Sequence, residues 1–428
     1  MRILPVVLLL VFARAACAQH DHAHDDLGSL PLDFSADLLL AAGTSSADDE
    51  TIESLQGGEH DPRRRGFTLR QLEFAMFGEA KPFDGSEITL GGAGILSVGE
   101  EEIHAEEIYL TIGELPHRFT VEAGLSLTEF GGLNPVHPHD WLWNDQAVVI
   151  TRMFGPEGMA GVGVQVTHEL ALPWASTIHV GMQEAFSERS PSFGGTFGGH
   201  AHDGEEEEAA GVGGRPLIER DRASLKDFAY SLRWLHGFDL NEDVSMAAGA
   251  SLMFGPNATG YDGRTMLWGA DFNLTIFSGD GDERRVAAEW LTEFIVREYD
   301  ADEFADEGDP LDPVDDIDLD DATLEDWGLY SQLVYHFDPE WAAGVRVDFA
   351  TSKGRDFHID DNDFEPADEN PLRDDRLRIS PLLTWAPVEA IRFRLQCNFD
   401  NADHLDENAQ SIWLGFEWRF GSRRHQHE

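Results

Sequence analysis

Between residues 32 and 420 the chain alternates apolar and polar side chains in run after run. In 389–399, Ile391, Phe393, Leu395, Cys397 and Phe399 share one side of an extended segment, and Arg392, Arg394, Gln396 and Asn398 share the other. In 411–420, Ile412, Leu414, Phe416, Trp418 and Phe420 oppose Ser411, Trp413, Gly415, Glu417 and Arg419. A period of two marks strands with one greasy and one wet face. The pattern predicts strands at 32–41, 67–78, 86–97, 103–112, 118–127, 159–170, 174–186, 225–236, 243–254, 264–277, 285–298, 327–337, 340–351, 375–386, 389–399 and 411–420, sixteen in all. Short connections with turn chemistry, such as Leu172-Pro173 and Asp338-Pro339, alternate strictly with longer ones rich in Asp, Glu, Gly and His. An even number of such strands predicts an all-β fold, a transmembrane antiparallel up-and-down β-barrel with lipid outside and water within. Trp234, Trp268, Trp290, Trp341, Trp385 and Trp418 fall on the apolar face, many near strand ends, where an aromatic girdle belongs.

The start of the chain agrees with that destination. Residues 1–18 carry Arg2, an apolar run from Leu4 to Phe12 and the small-residue pattern Ala16-Cys17-Ala18. This reads as a cleaved secretory signal, too short in its apolar run to span a membrane as a helix. A His/Asp-rich periplasmic segment is then expected at 19–31, the barrel at 32–421 and a His-containing periplasmic tail at 422–428. The expected location is the outer membrane of a Gram-negative bacterium. Beyond Cys17, Cys397 stands alone, so no disulfide framework or thiolate metal cluster is expected.

Charge narrows the partners. Lys and Arg number 30 against 81 Asp and Glu, a formal net charge of −51. Such an excess repels phosphates and excludes nucleic acid as a partner. It suits cations, or a surface adapted to salt. The partners expected are outer-membrane lipid, small hydrophilic or ionic solutes and, in a homotrimer, further copies of the chain.

Sixteen strands leave an aqueous lumen. Its lining, read from the face opposite the apolar one, begins with Asp33, Asp37, Glu73, Glu87, Glu107 and Glu122. The last four strands supply Arg346, Arg376, Arg378, Arg392, Arg394 and Arg419, with Asp348 and Glu417 among them. An acidic arc facing an arginine-rich arc would put a field across the pore. The same arginines would serve equally as structural ladders to neighbouring carboxylates.

The connection 128–158 is unusually apolar and aromatic for a surface loop, with Trp141, Leu142, Trp143, Val148, Val149 and Ile150. The barrel interior is the place available to bury it. Here, at Glu129-Phe130-Gly131-Gly132, the chain resembles the general porins of bacterial outer membranes, whose loop after the fifth strand carries a Pro-Glu-Phe-Gly-Gly motif. Thr128 replaces the proline, and Phe420 is followed by 421–428 where that family ends on phenylalanine. The resemblance implies an inward-folded loop forming the constriction, with Glu129, Asp140 and Asp145 as acidic eyelet residues. The run from Phe130 to Trp141, with Asn134-Pro135-Val136-His137-Pro138-His139, is similar to a group of proteobacterial barrels labelled zinc-regulated TonB-dependent receptors. That resemblance implies metal uptake with a periplasmic energy-coupling partner, although such receptors have a plug domain and about 22 strands.

Paired histidines at His20/His22/His24, His137/His139, His200/His202 and His425/His427 suit Zn²⁺, Cu²⁺ or Ni²⁺. No cofactor is required by the channel reading, and zinc enters as a weak ligand or as a substrate, at His137, His139, His200 and His202. An enzyme barrel is the rival class. Rim histidines His104, His358 and His404 have acids nearby, but no nucleophile motif accompanies them, so no catalytic activity is expected.

Overall fold

A computed structural model describes residues 32–421, apart from 84, 101–102, 196–209, 221–222, 280, 282–283, 307–316, 361–362 and 368–369. In chain order the strands are β1 (Leu32–Ser45), β2 (Gly66–Ala80), β3 (Thr89–Val98), β4 (Ile103–Leu115), β5 (Phe119–Leu127), β6 (Ala160–Glu169), β7 (Ala175–Glu184), β8 (Phe228–Asn241), β9 (Val244–Pro256), β10 (Arg264–Ser278), β11 (Arg285–Ala301), β12 (Phe304–Asp306), β13 (Ile317–Leu319), β14 (Ala322–His336), β15 (Trp341–Lys353), β16 (Asp356–Asp360), β17 (Asp363–Ala367), β18 (Arg376–Val388), β19 (Ile391–Ala402) and β20 (Ala409–Gly421). Two short hairpins, β12–β13 and β16–β17, decorate long loops; the other sixteen strands form one closed antiparallel barrel. It closes where β1 pairs with β20, with Ala36 opposite Phe420 and Ala42 opposite Leu414. The predicted signal and both histidine-bearing ends lie outside the described residues, as do His200 and His202.

The lipid face follows the alternation. Leu110, Val162, Leu232, Leu333 and Leu414 point outward and are exposed, as a membrane-facing band requires. Aromatic rings border that band in two rows. Near the long loops, Trp268, Phe294, Trp327 and Phe349 touch in sequence at centroid distances of 5.7, 5.9 and 5.2 Å. Near the short turns, Trp341, Trp385, Phe393 and Phe416 do the same at 5.6, 5.4 and 5.3 Å. Trp327 lies opposite Thr351 of β15, the strand that Trp341 begins. That span corresponds to about 33 Å along the strand and, once tilted, about 25 Å of membrane thickness.

Two differences from the sequence pattern concern the ends of strands. β11 and β14 stay paired out to Ala301 and Ala322, beyond the lipid, where the faces reverse: Glu298 and Asp300 are exposed, while Tyr299, Ala301 and Leu324 are buried with Val212. β3 starts at Thr89 rather than at residue 86, which leaves Glu87 in the turn. Lys81 pairs with it there at 2.6 Å, so Glu87 does not line the lumen.

Candidate functional site: a loop latched inside the barrel

The chain from 128 to 159 enters the lumen and crosses it, carrying helix α2 (Val148–Phe154); α1 (Asp49–Leu55) enters from the first long loop. The neck of the long crossing is closed by Asn134, whose Nδ2 donates to the carbonyls of Thr128 (2.8 Å) and Met159 (3.1 Å) while its Oδ1 accepts from Met159 N at 2.8 Å. Phe130 is fully buried, and the Gly-Gly after it brings the backbone against the wall. Gly131 N donates to Ser251 Oγ at 3.1 Å and Gly132 N to Glu293 Oε2 at 3.1 Å. Gly131 has φ of 65°, and a Cβ there would overlap Glu293.

The apolar loop residues meet a wall that is itself apolar. Phe130, Trp141, Val149, Ile150, Met153 and Phe154 pack in one cluster with Ala229, Met253, Leu267, Ile295 and Tyr330. Those five wall residues sit on lumen-facing positions of β8–β11 and β14, so this side of the interior is a packed core, not the wet surface expected from the alternation. Burying such side chains contributes about 1.5–3 kcal/mol each, enough to hold the loop inside.

The acidic arc binds the loop through histidine. His137 Nε2 lies 3.0 Å from Glu107 Oε2 and its Nδ1 3.3 Å from Glu73 Oε2. His139 Nδ1 reaches the same Glu73 oxygen at 3.2 Å, and its Nε2 lies 3.3 Å from Asp140. The two rings stack at 5.7 Å. Burial works against charging these imidazoles, but the surrounding carboxylates outweigh it: His139 is pushed up to about 9 and His137 well above its ordinary value. Both nitrogens of each ring are therefore committed to carboxylates.

The arginine arc grips the loop backbone. Arg392 Nη2 donates to the His139 carbonyl at 2.6 Å, Arg394 Nη2 to the Trp141 carbonyl at 2.7 Å, and Arg378 Nη2 to the Leu55 carbonyl of α1 at 2.9 Å. Glu417 takes both Arg392 and Arg394 at 2.7 Å. Asp145 accepts from Arg346 at 2.7 Å, Arg378 at 2.9 Å, Gln396 at 2.8 Å and Asn398 at 2.7 Å. Burial opposes its ionisation, yet the two guanidiniums hold it well below the carboxylate range. Arg376 pairs with Asp400 at 3.1 Å and also reaches the Leu55 carbonyl.

These placements revise the expected eyelet. Asp145, foreseen there, is 1 % exposed because its four donors close around it, so it anchors the loop and does not border open water. Arg346, Arg376, Arg378 and Arg394 are likewise buried; they are latches. Asp37, Glu73 and Glu107 are buried beside them. The charged groups that keep contact with solvent at this height are Asp140, 45 % exposed in its side chain, Arg392 at 20 % and Arg419 at 23 %, with Glu122 and Glu129 half-buried. Arg419 lies 3.3 Å from Asp140.

One group was missed by alternation. In β4, Glu107 faces Ile95 and Ala105 faces Leu96, so Glu106 is a bulge. A bulge lets two consecutive residues point the same way, and Glu106 and Glu107 are both buried inward. The pair Glu-Glu inside an otherwise alternating strand was the available signal. Glu106 faces His60 of the first long loop at 3.3 Å and His104 at 3.2 Å. At the rim, His404 lies 3.2 Å from Ser54 Oγ and 3.4 Å from Asp374. Ser54 Oγ donates to the Thr51 carbonyl at 2.9 Å, so its proton is directed along α1.

A closed sixteen-stranded barrel with an apolar outer band and an inward loop defines a β-barrel of the outer-membrane type. Solved structures share it. The outer-membrane channel DcaP of Acinetobacter baumannii superposes with a TM-score of 0.55 at 11 % identity, over 94 % of this chain and 100 % of that one. An anion-selective porin from Comamonas acidovorans gives 0.55 at 7 % identity, over 91 % and 99 %. OprB of Pseudomonas putida gives 0.52 at 10 %, over 91 % and 94 %. An uncharacterized protein of Aquifex aeolicus is 25 % identical over 374 residues, 83 % of this chain and 68 % of its own length. No protein-family model matches the chain.

Proposed function

We propose that the protein is a passive outer-membrane channel for small hydrophilic solutes, with the segment 128–158 as its constriction and a preference for cations. The observation that carries this is the loop itself, held across the lumen by the acidic arc on one wall and the arginines on the other. Two of the solved structures that share the fold are described as an outer membrane channel and an anion-selective porin, and this supports the channel reading. Asp140, Glu129 and Glu122 supply negative charge where solutes pass, and Arg392 and Arg419 lie beside Asp140. Assembly as a homotrimer belongs to the same reading, as does the lack of any catalytic role: Ser54, His404 and Asp374 act as a clasp between α1 and the neighbouring loops. An energised receptor is disfavoured, because the ring closes at sixteen strands where plugged receptors use about 22.

Reconstitution into planar bilayers in a KCl gradient tests it. Stepwise conductance with a cation-selective reversal potential is expected. A protein that inserts without conducting overturns the channel, and anion selectivity overturns the cation preference. Asp140→Asn with Glu129→Gln should move the reversal potential toward zero.

A further inference from the structure

We propose that His60, His104 and Glu106 form a binding site for one divalent transition-metal ion at the long-loop end of the barrel. The site is independent of conduction through the lumen. The three side chains each bring one ligand atom to a common point, all within 4.8 Å of one another. His60 Nε2 and His104 Nε2 converge on the same oxygen, Glu106 Oε1, at 3.3 and 3.2 Å. Ligands bound at about 2.0–2.1 Å around a tetrahedral zinc are separated by about 3.3–3.4 Å, so these two edges already have the length that coordination requires.

The hydrogen bonds around the cluster point the same way. His60 Nδ1 lies 3.2 Å from the Arg70 carbonyl, which only accepts, so this nitrogen carries the proton. In the neutral ring, Nε2 then presents a lone pair to a carboxylate oxygen that also presents lone pairs. A positive species belongs between them, either a second proton or a metal ion. Metal-bound imidazoles have their other nitrogen fixed in this manner by a carbonyl. Arg70 Nε in turn donates to the His60 carbonyl at 2.6 Å, locking the loop in place. Arg70 is inward because β2 bulges at that residue, Leu39 pairing with Gln71 and Leu40 with Leu69.

A neighbouring cation would oppose the ion, and Arg189 is close. Its contacts avoid the metal-facing oxygen: Nη2 lies 3.4 Å from Glu106 Oε2, and Nη1 donates to the Glu106 carbonyl at 2.7 Å. Arg189 Nε also holds Glu157 Oε2 at 2.8 Å, leaving Glu157 Oε1 3.7 Å from His104 as a candidate fourth ligand. His104 and Glu157 are 20 and 23 % exposed, which gives the ion a route in. Two imidazoles with one or two carboxylates favour zinc, cobalt or nickel over magnesium and calcium. Among the described residues, Asp37, Glu73 and His139 form a second three-atom group, but Arg419 already lies 3.4 Å from Asp37 and neutralises that corner.

Zinc titration of the full-length protein in detergent, against a chromophoric chelator, should show one equivalent that disappears or weakens by more than about tenfold in both His104→Ala and Glu106→Gln. The remaining histidines of the chain are common to wild type and variants, so the difference isolates this site. Cobalt provides a second readout: the intense visible bands of a four- or five-coordinate nitrogen-ligated ion should appear in the wild type and weaken in Glu106→Gln, and His104→Cys should add thiolate charge-transfer absorption. Folding of each variant is checked by its heat-shifted electrophoretic mobility. Zinc stoichiometry and affinity unchanged in the folded variants would overturn the proposal. So would a wild-type cobalt spectrum of purely six-coordinate, aquo type.

Discussion

His139 carries its proton through the neutral range, and Glu73 is what it is held against. An imidazole raised from an ordinary value of about 6.5 to about 9 gives stability that is complete below the lower value and is lost as pH rises through the higher one. The unfolding temperature of the purified barrel should therefore fall between pH 6.5 and pH 10, more steeply in wild type than in His139→Gln. Parallel profiles for the two proteins would show that this contact is not the titrating one. Asp145 makes a different demand. Asp145→Asn removes the counter-ion that Arg346 and Arg378 share but leaves them Asp348 at 2.8 Å and Asp400 at 2.7 Å, so the cost stays below the about 3–5 kcal/mol of a buried charge left alone. The expected result is a lower urea midpoint, with the loop more open to protease.

At the scale of the element, the crossing segment depends on backbone reaching the wall. Gly131→Ala places a side chain at φ 65°, a strain of about 1–2 kcal/mol, and drives it into Glu293. The loop should back away from β9–β11, and the variant should unfold earlier on heating and conduct more than the wild type in bilayers. Equal conductance would mean that the constriction lies elsewhere. The barrel strands were legible in the sequence because lipid imposes one rule on every outward position: Leu110 and Leu414 obey it whatever their neighbours. The inward burial of loop 128–158 was legible for the same reason, since Trp141, Val149 and Ile150 needed a dry place. What they would rest on was hidden. Met253, Leu267 and Ile295 occupy positions that a water-filled ring would make polar, and only the folded loop explains them. The bulges at Arg70 and Glu106 were hidden too, because a single inserted residue looks like noise in an alternating pattern. His60 could not be matched with Glu106 until the first loop was seen to enter the mouth.

The whole molecule is strongly anionic, at −51, while Arg70, Arg233, Arg297, Arg346, Arg376, Arg378 and Arg394 are buried on the inner wall. The charge that solutes meet is then mostly carboxylate and mostly exposed to electrolyte. Screening reaches about 10 Å at 0.1 M salt and about 3 Å at 1 M, so cation preference measured by reversal potential should shrink steeply over that interval. Selectivity that stays constant from 0.1 to 1 M KCl would place its origin in buried groups instead.

Three of the grips on the inward segments end on main-chain oxygens, those of Leu55, His139 and Trp141. Every amino acid brings that oxygen. Arg378, Arg392 and Arg394 therefore keep their hold on the main chain whatever side chain follows each oxygen, while Leu55, His139 and Trp141, buried themselves, answer separately to packing. Asp140, between two of the held oxygens, keeps its side chain in solvent, so diversification of cargo can begin there without unmaking the fold.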